Sequence, residues 1–289
     1  TGFSGGYIGV DIFFVISGFL ITNLLINEYQ SNLASGQSGY ISFRNFYLRR
    51  VKRIVPMALT VIVVALIYAY LNYSQARFSQ VRNDAIWASL FGANIHYMQE
   101  SLNYFQQAQA VSLLQHYWSL AVEEQFYLLW PLIIFSLWKI GRQRLVLRGV
   151  FAITVLSFLF SLYLTNAAPI WAFYSLPTRA WELGVGALLL YIPSRIKFSQ
   201  NYLWLALLLF LYGTFQFRDN TPFPGTAALV PVIATAISLA AVHSWPKVLN
   251  SIGNHRIVQW LGAISYPLYL WHWPLLVIPV VYLGRGLHI

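Results

Sequence analysis

Residues 54–71, IVPMALTVIVVALIYAYL, run for 18 positions without one charged side chain. A helix that is apolar all round has no solvated face and belongs in a membrane or a deep core. In lipid every backbone N–H and C=O must be bonded within the spanning structure, which leaves helices and closed barrels. A barrel needs short segments that alternate apolar and polar residues, and this run is continuous. Composition extends the constraint to the whole chain. Of 289 residues, 58% are hydrophobic and 9% charged, outside the range of a soluble domain. The expected fold is all-α, a polytopic transmembrane helical bundle.

A crossing takes about 20 apolar residues, and on that basis there are eight candidate spans: Tyr7–Ile26, Ile54–Asn72, Trp118–Trp138, Leu145–Leu164, Pro177–Ile192, Tyr202–Phe217, Gly225–Val242 and Ile257–Leu283. The stretch Asn83–Met98 is shorter and more polar, and reads as one interfacial or re-entrant helix. With eight crossings, thirteen Lys and Arg residues fall on one side, among them Arg44, Arg49, Arg50, Lys52, Arg53, Arg195 and Lys197. Arg77, Arg82, Arg218 and Arg285 fall opposite. The positive-inside rule makes the crowded side cytoplasmic, so the first span runs inward. This placement explains the net charge of +10 by topology and lipid contact and calls for no nucleic acid. The Tyr73–Tyr117 connection is then external and long enough to form a substrate-facing surface.

No repeat or soluble domain interrupts the pattern, so residues 1–289 read as a single membrane domain. The opening TGFSGGYIGVD has neither an initiator Met nor a basic leader, and we expect a chain trimmed at its N-terminus. The absence of cysteine excludes disulfides and thiolate metal sites.

Within this apolar background five ionisable residues fall inside expected spans: Asp11, Glu123, Glu124, Arg179 and Glu182. An ionised group costs about 2.5–3.5 kcal/mol at the centre of a membrane helix, so each is a functional candidate. Hydropathy places all five about one to two turns below the outer surface, and one shared depth points to a polar cavity opening outward. Ser119, Glu123, Tyr127 and Trp130 recur on one helical face, with Glu124 turned away. Arg179 and Glu182 form an i, i+3 pair, and the glycines after them permit close helix packing. Helix-dipole complementation or structural ion pairing accounts for any one of these residues equally well. Their grouping favours function.

The stretch FRNFYLRRVKRIVP crowds Arg49, Arg50, Lys52 and Arg53 at the inner end of the second span. Guanidinium forks bind phosphate oxygens, and the same residues also anchor a helix to anionic lipid. His272 lies at membrane depth in SYPLYLWHWPLL as a candidate proton carrier or helix-packing residue, and His116 lies external to the Ser119 helix. His96, His243, His255 and His288 have no distinctive context, and no spacing resembles a zinc site. No metal ligand set is expected.

Five segments, GGYIGVDIFFVISGFLIT, FYLRRVKRIVP, HYWSLAVEEQFYLLWPL, TRAWELGVGALL and SYPLYLWHWPLL, resemble in order and spacing those of bacterial membrane acyltransferase family 3. These are integral-membrane O-acyltransferases of cell-surface glycans such as lipopolysaccharide. The resemblance implies transfer of an acyl group, commonly acetyl, from cytoplasmic acetyl-CoA to an extracytoplasmic sugar hydroxyl, with no tightly bound cofactor. The Arg-x-x-Arg motif maps to Arg50 and Arg53 on the donor side, with Arg49 beside them. Ser-Leu-x-x-Glu maps to Ser119, Leu120 and Glu123.

Catalytic candidates are therefore Asp11, Ser119, Glu123, Glu124, Arg179 and Glu182. Trp118, Tyr127, Trp181, His116 and His272 are the substrate-facing candidates. The resemblance further implies a preceding span that carries an Arg and a catalytic His. It also implies a later span, followed in some members by an SGNH-type periplasmic domain, fused or separate. The location implied is the bacterial inner membrane. A transporter or flippase is the alternative, because buried charges at one depth also line substrate paths.

Overall fold

The computed structural model describes residues 6–36, 41–102, 111–193, 199–218 and 220–282. Arg195, Lys197, Arg285, His288 and the expected span end at Leu283 lie outside the described residues. Among the described residues twelve α-helices follow in order: α1 Gly9–Ala34, α2 Phe43–Asn72, α3 Gln75–Ser89, α4 Ala93–Leu102, α5 Tyr117–Ala167, α6 Pro169–Tyr174, α7 Leu176–Leu189, α8 Asn201–Gln216, α9 Leu229–Ala240, α10 Lys247–Gly253, α11 Arg256–Ala263 and α12 Ser265–Tyr282. Among the described residues there is no strand, as an all-α fold requires.

Among the described residues four segments are long and apolar enough to cross a membrane: Gly6–Ala34, Phe43–Asn72, Tyr117–Ile140 and Gln143–Ala167. A fifth is available if α11 and α12 act as one span bent by 68°. The chain is thus a multi-pass membrane protein. The expected spans at α7, α8 and α9 contain helices of 14, 16 and 12 residues, short of the roughly 20 that cross the hydrocarbon unaided.

Helical assignment is continuous through α5, yet a Cβ at Gly149 would sit 2.7 Å from the Leu137 side chain. A straight helix would separate these positions by about 18 Å along its axis, so the chain doubles back between them. Helix α2 begins eleven residues before the expected Ile54, since Arg and Lys are good helix formers and nothing breaks the pattern. The expected single helix over Asn83–Met98 is instead α3 and α4. They are separated by a turn in which Phe91 has φ +53° and Gly92 lies against Trp87, where a Cβ would be 2.7 Å from the ring.

The chain divides into two compact units, Thr1–Ile41 with Gln125–Asn250, and Ser42–Glu124 with Ser251–Ile289. In the first, α1 packs on α7 with backbones in contact. A methyl at Gly18 would strike the Leu183 carbonyl, and one at Gly186 the Val15 carbonyl. Small residues permit this approach. Ser17 hydrogen-bonds Tyr127, Trp130 Nε1 donates to Thr22 Oγ1 at 2.8 Å, and Tyr29 stacks on Trp138 with centroids 4.3 Å apart. Numbering rises together along both segments, so α1 and the first half of α5 run parallel, in keeping with the topology read from charge.

In the second unit, Tyr266 donates its hydroxyl to the Ile54 carbonyl and Tyr117 to that of Ala58, each at 2.8 Å. These bonds tie α12 and the start of α5 to the middle of α2.

Candidate functional site

The first unit holds a fully buried charge cluster. Arg179 Nη1 lies 3.0 Å from Glu182 Oε1, and Nη2 lies 3.2 Å from Asp11 Oδ1. Side-chain exposure is 1% or less for all three. The rings of Phe223, Phe14 and Phe173 surround the guanidinium at 5.3, 5.6 and 5.9 Å.

Local chemistry fixes this geometry. Pro177 sits in the first turn of α7, where its missing N–H costs nothing. Ser157 Oγ donates to the Pro177 carbonyl at 2.6 Å and accepts from Trp181 N–H at 2.9 Å, bridging an i, i+4 pair. Thr178 Oγ1 donates to the Ala172 carbonyl at 2.7 Å. With the start of α7 fixed, Arg179 and Glu182 share the face toward α1.

The second unit holds the other carboxylates. Glu123 is buried, and Glu124 Oε1 is enclosed without a hydrogen-bond partner. Arg50 lies within electrostatic range of Glu124, and Arg53 within range of Tyr266, which also senses both glutamates. The expected depth of this pair is corrected. Tyr117 pairs with Ala58, which stands 14 residues before the end of α2 at Asn72, about 21 Å along the helix. Glu123 and Glu124 lie another one to two turns further in. The residues before Trp118 are themselves buried, Leu113, Leu114 and His116 among them, so the span does not start at an outer surface.

Ser119, Tyr269 and His116 form one polar knot. Ser119 Oγ bonds Tyr269 Oη, and Tyr269 donates to the His116 carbonyl at 2.9 Å. The His116 ring is buried among Tyr117, Tyr269, His272 and Trp273, and neither ring nitrogen makes a well-formed hydrogen bond. The expected external position of His116 is corrected accordingly. His272, expected at membrane depth as a proton carrier or helix-packing residue, has an exposed side chain that bonds the Tyr269 carbonyl through Nδ1.

Trp118 and Tyr127 are buried, the latter on Ser17. Trp181 belongs to an apolar core with Val15, Ala228 and Val232 and packs on Phe158. That placement corrects its expected position facing the substrate. Arg49 and Arg53 are exposed, and Arg50 is half-buried.

Two groups escaped the sequence reading. Tyr266 and Tyr269 were hidden in an aromatic-rich span whose tyrosines resemble an interfacial belt. The second group, Asp84, His96 and Glu100, converges on α3 and α4. His96 Nε2 lies 2.8 Å from Asp84 Oδ1 and 3.3 Å from Glu100 Oε1. Burial, then the Asp84 charge, raises the Glu100 carboxyl above its usual range, with His96 opposing.

Buried carboxylates and an aromatic-lined polar knot inside apolar helices long enough to cross a bilayer make this a multi-pass membrane protein with polar groups in its interior. The acyltransferase-domain family model matches residues 2–286, and the chain belongs to that family, acyltransferase 3.

Similar curated proteins include the peptidoglycan O-acetyltransferase OatA of Listeria monocytogenes, 31% identical over 95% of this chain and 45% of the relative. The putative peptidoglycan O-acetyltransferase YrhL of Bacillus subtilis is 32% identical over 98% and 46%. The O-acetyltransferase OatA of Staphylococcus aureus is 31% identical over 98% and 48%. The chain spans about half the length of these relatives. No solved structure matches it significantly.

Proposed function

We propose that this chain is the membrane acyl-transfer part of an O-acetyltransferase acting on a cell-wall glycan, with peptidoglycan the acceptor class. Family membership and the relatives' names support acetyl transfer. The structural observation that carries the reading is a cation, Arg50, within electrostatic range of a membrane-embedded carboxylate, Glu124. An anionic donor and a hydroxyl acceptor need those two kinds of group close together.

In this reading Arg49, Arg50 and Arg53 hold the phosphates of acetyl-CoA through charge-assisted hydrogen bonds. The acceptor hydroxyl attacks the thioester carbonyl, its proton passes to a base, and the CoA thiol leaves. Glu123, with Ser119, Tyr269 and His116 nearby, orients the acceptor hydroxyl. The base that takes the hydroxyl proton contributes about 10²–10⁴ in rate. The Asp11–Arg179–Glu182 cluster positions α1 and α7. The reading includes eight crossings of a bacterial cytoplasmic membrane, no tightly bound cofactor, and an SGNH-type periplasmic domain, fused or separate, as partner.

The test is full-length protein in proteoliposomes, with labelled acetyl-CoA on the cytoplasmic face and glycan outside. Label appearing in the glycan as a base-labile ester is expected. Transport of intact donor or glycan with no ester formed overturns the reading in favour of a transporter.

A further inference from the structure

We propose that Asp84, His96 and Glu100 bind one divalent transition-metal cation, with zinc the best fit, on the α3–α4 hairpin. None of the three residues is among the groups given roles in acyl transfer, and no step of that reaction uses them.

One ligand atom from each residue lies within 4.8 Å of the others. Of the two separations from His96 Nε2, 3.3 Å falls within and 2.8 Å just below the ligand–ligand edges of about 2.9–3.4 Å expected around zinc with bonds near 2.0–2.1 Å. The imidazole is an essential part of the set. Its Nε2 points between two carboxylate oxygens, and a single N–H there can be aligned with only one of them. Neutral imidazole with two carboxylates presents three lone pairs and two negative charges to one point, which a dication satisfies.

The surroundings hold the ligands as an outer shell would. Ser112 Oγ donates to the second Asp84 oxygen and also bonds Tyr97 Oη, the latter at 3.0 Å. Trp87 stacks on the His96 ring with centroids 5.7 Å apart and planes within 7°. Asp84 and His96 side chains are 5% exposed, while Glu100 is 27% exposed and gives the ion an entry path. Nitrogen with two oxygens suits zinc better than magnesium or calcium, which prefer all-oxygen sets. Three protein ligands leave a fourth position for water. Bound metal would join α3 to α4 and, through Ser112, to the segment entering α5.

The experiment uses full-length protein in detergent, stripped with chelator, given ZnCl2 and desalted, with metal content and melting temperature measured. About one zinc per chain and a raised melting temperature are expected. Glu100→Gln, at a half-exposed position that leaves the fold intact, should weaken retention at least tenfold, and His96→Gln should abolish it. Lowering the pH should release the ion, because protons compete for the same atoms. A Glu28→Gln control should retain zinc. Equal zinc in wild type and both site variants overturns the proposal, as does preference for Mg²⁺ or Ca²⁺. Absence of zinc with an unchanged melting temperature also overturns it and leaves an imidazolium–carboxylate cluster.

Discussion

Tyr117 donates its hydroxyl to the carbonyl of Ala58 at 2.8 Å, and this bond sets how deep α5 starts beside α2. Because of it, Glu123 and Glu124 lie close to the basic motif, with Arg50 within electrostatic range of Glu124.

That proximity predicts coupling in donor binding. Arg50→Gln in the full-length protein should weaken CoA binding measured by calorimetry. Glu124→Gln should strengthen it at any pH where the carboxylate is ionised, since its charge then offsets the field of Arg50. In the double variant the Glu124 effect should shrink, with a coupling of about 0.5–3 kcal/mol. Strictly additive effects would show that the two groups act separately.

Removing Arg179 should be far worse than removing the whole cluster. Arg179→Met leaves two buried carboxylates without their cation, a loss of about 3–5 kcal/mol. The triple variant Asp11→Asn, Arg179→Met, Glu182→Gln should recover much of that. Thermal unfolding in detergent gives the order, and a triple variant less stable than Arg179→Met contradicts it.

The close contacts of α7 with α1 and with α5 predict unequal responses at two glycines. At Gly18 an added methyl meets the Leu183 backbone carbonyl, whereas at Gly184 it meets the Thr154 side chain. Gly184→Ala should therefore be rescued by Thr154→Ala, and Gly18→Ala should not be rescued by Leu183→Ala. The yield of monodisperse protein after extraction distinguishes them.

Much of the fold was legible because membrane crossing imposes long apolar runs and a one-sided distribution of Lys and Arg. The Arg179–Glu182 pairing was legible too, since i, i+3 neighbours share a helix face whatever the tertiary context. Depth was not. Hydropathy marks Trp118 as a span start, but the preceding residues through His116 are buried by packing that local sequence does not report.

The break between α3 and α4 turns on one left-handed residue, Phe91, of a type that rarely adopts that conformation. Asp84 stands twelve residues from His96 on another helix, so no ligand spacing was visible. Only the His96–Glu100 i, i+4 pair was available as a signal. Trp181 carried the composition of a sugar platform, and its core position depends on partners from α1 and α9.

A hydroxyl at Tyr269 links Ser119 to the His116 carbonyl. Tyr269→Phe should lower kcat for glycan acetylation about tenfold while leaving KM for acetyl-CoA unchanged, since it acts on the acceptor side. A rise in that KM with kcat unaltered would place the residue with the donor instead.

The most direct measurement is the rate of glycan O-acetylation by the Glu123→Gln variant of the full-length protein in proteoliposomes, at matched membrane insertion. A fall of at least about 100-fold is predicted, the scale of loss that misplacing a reacting group by about 1 Å produces. An unchanged rate would contradict the account and leave the carboxylate a structural part of α5.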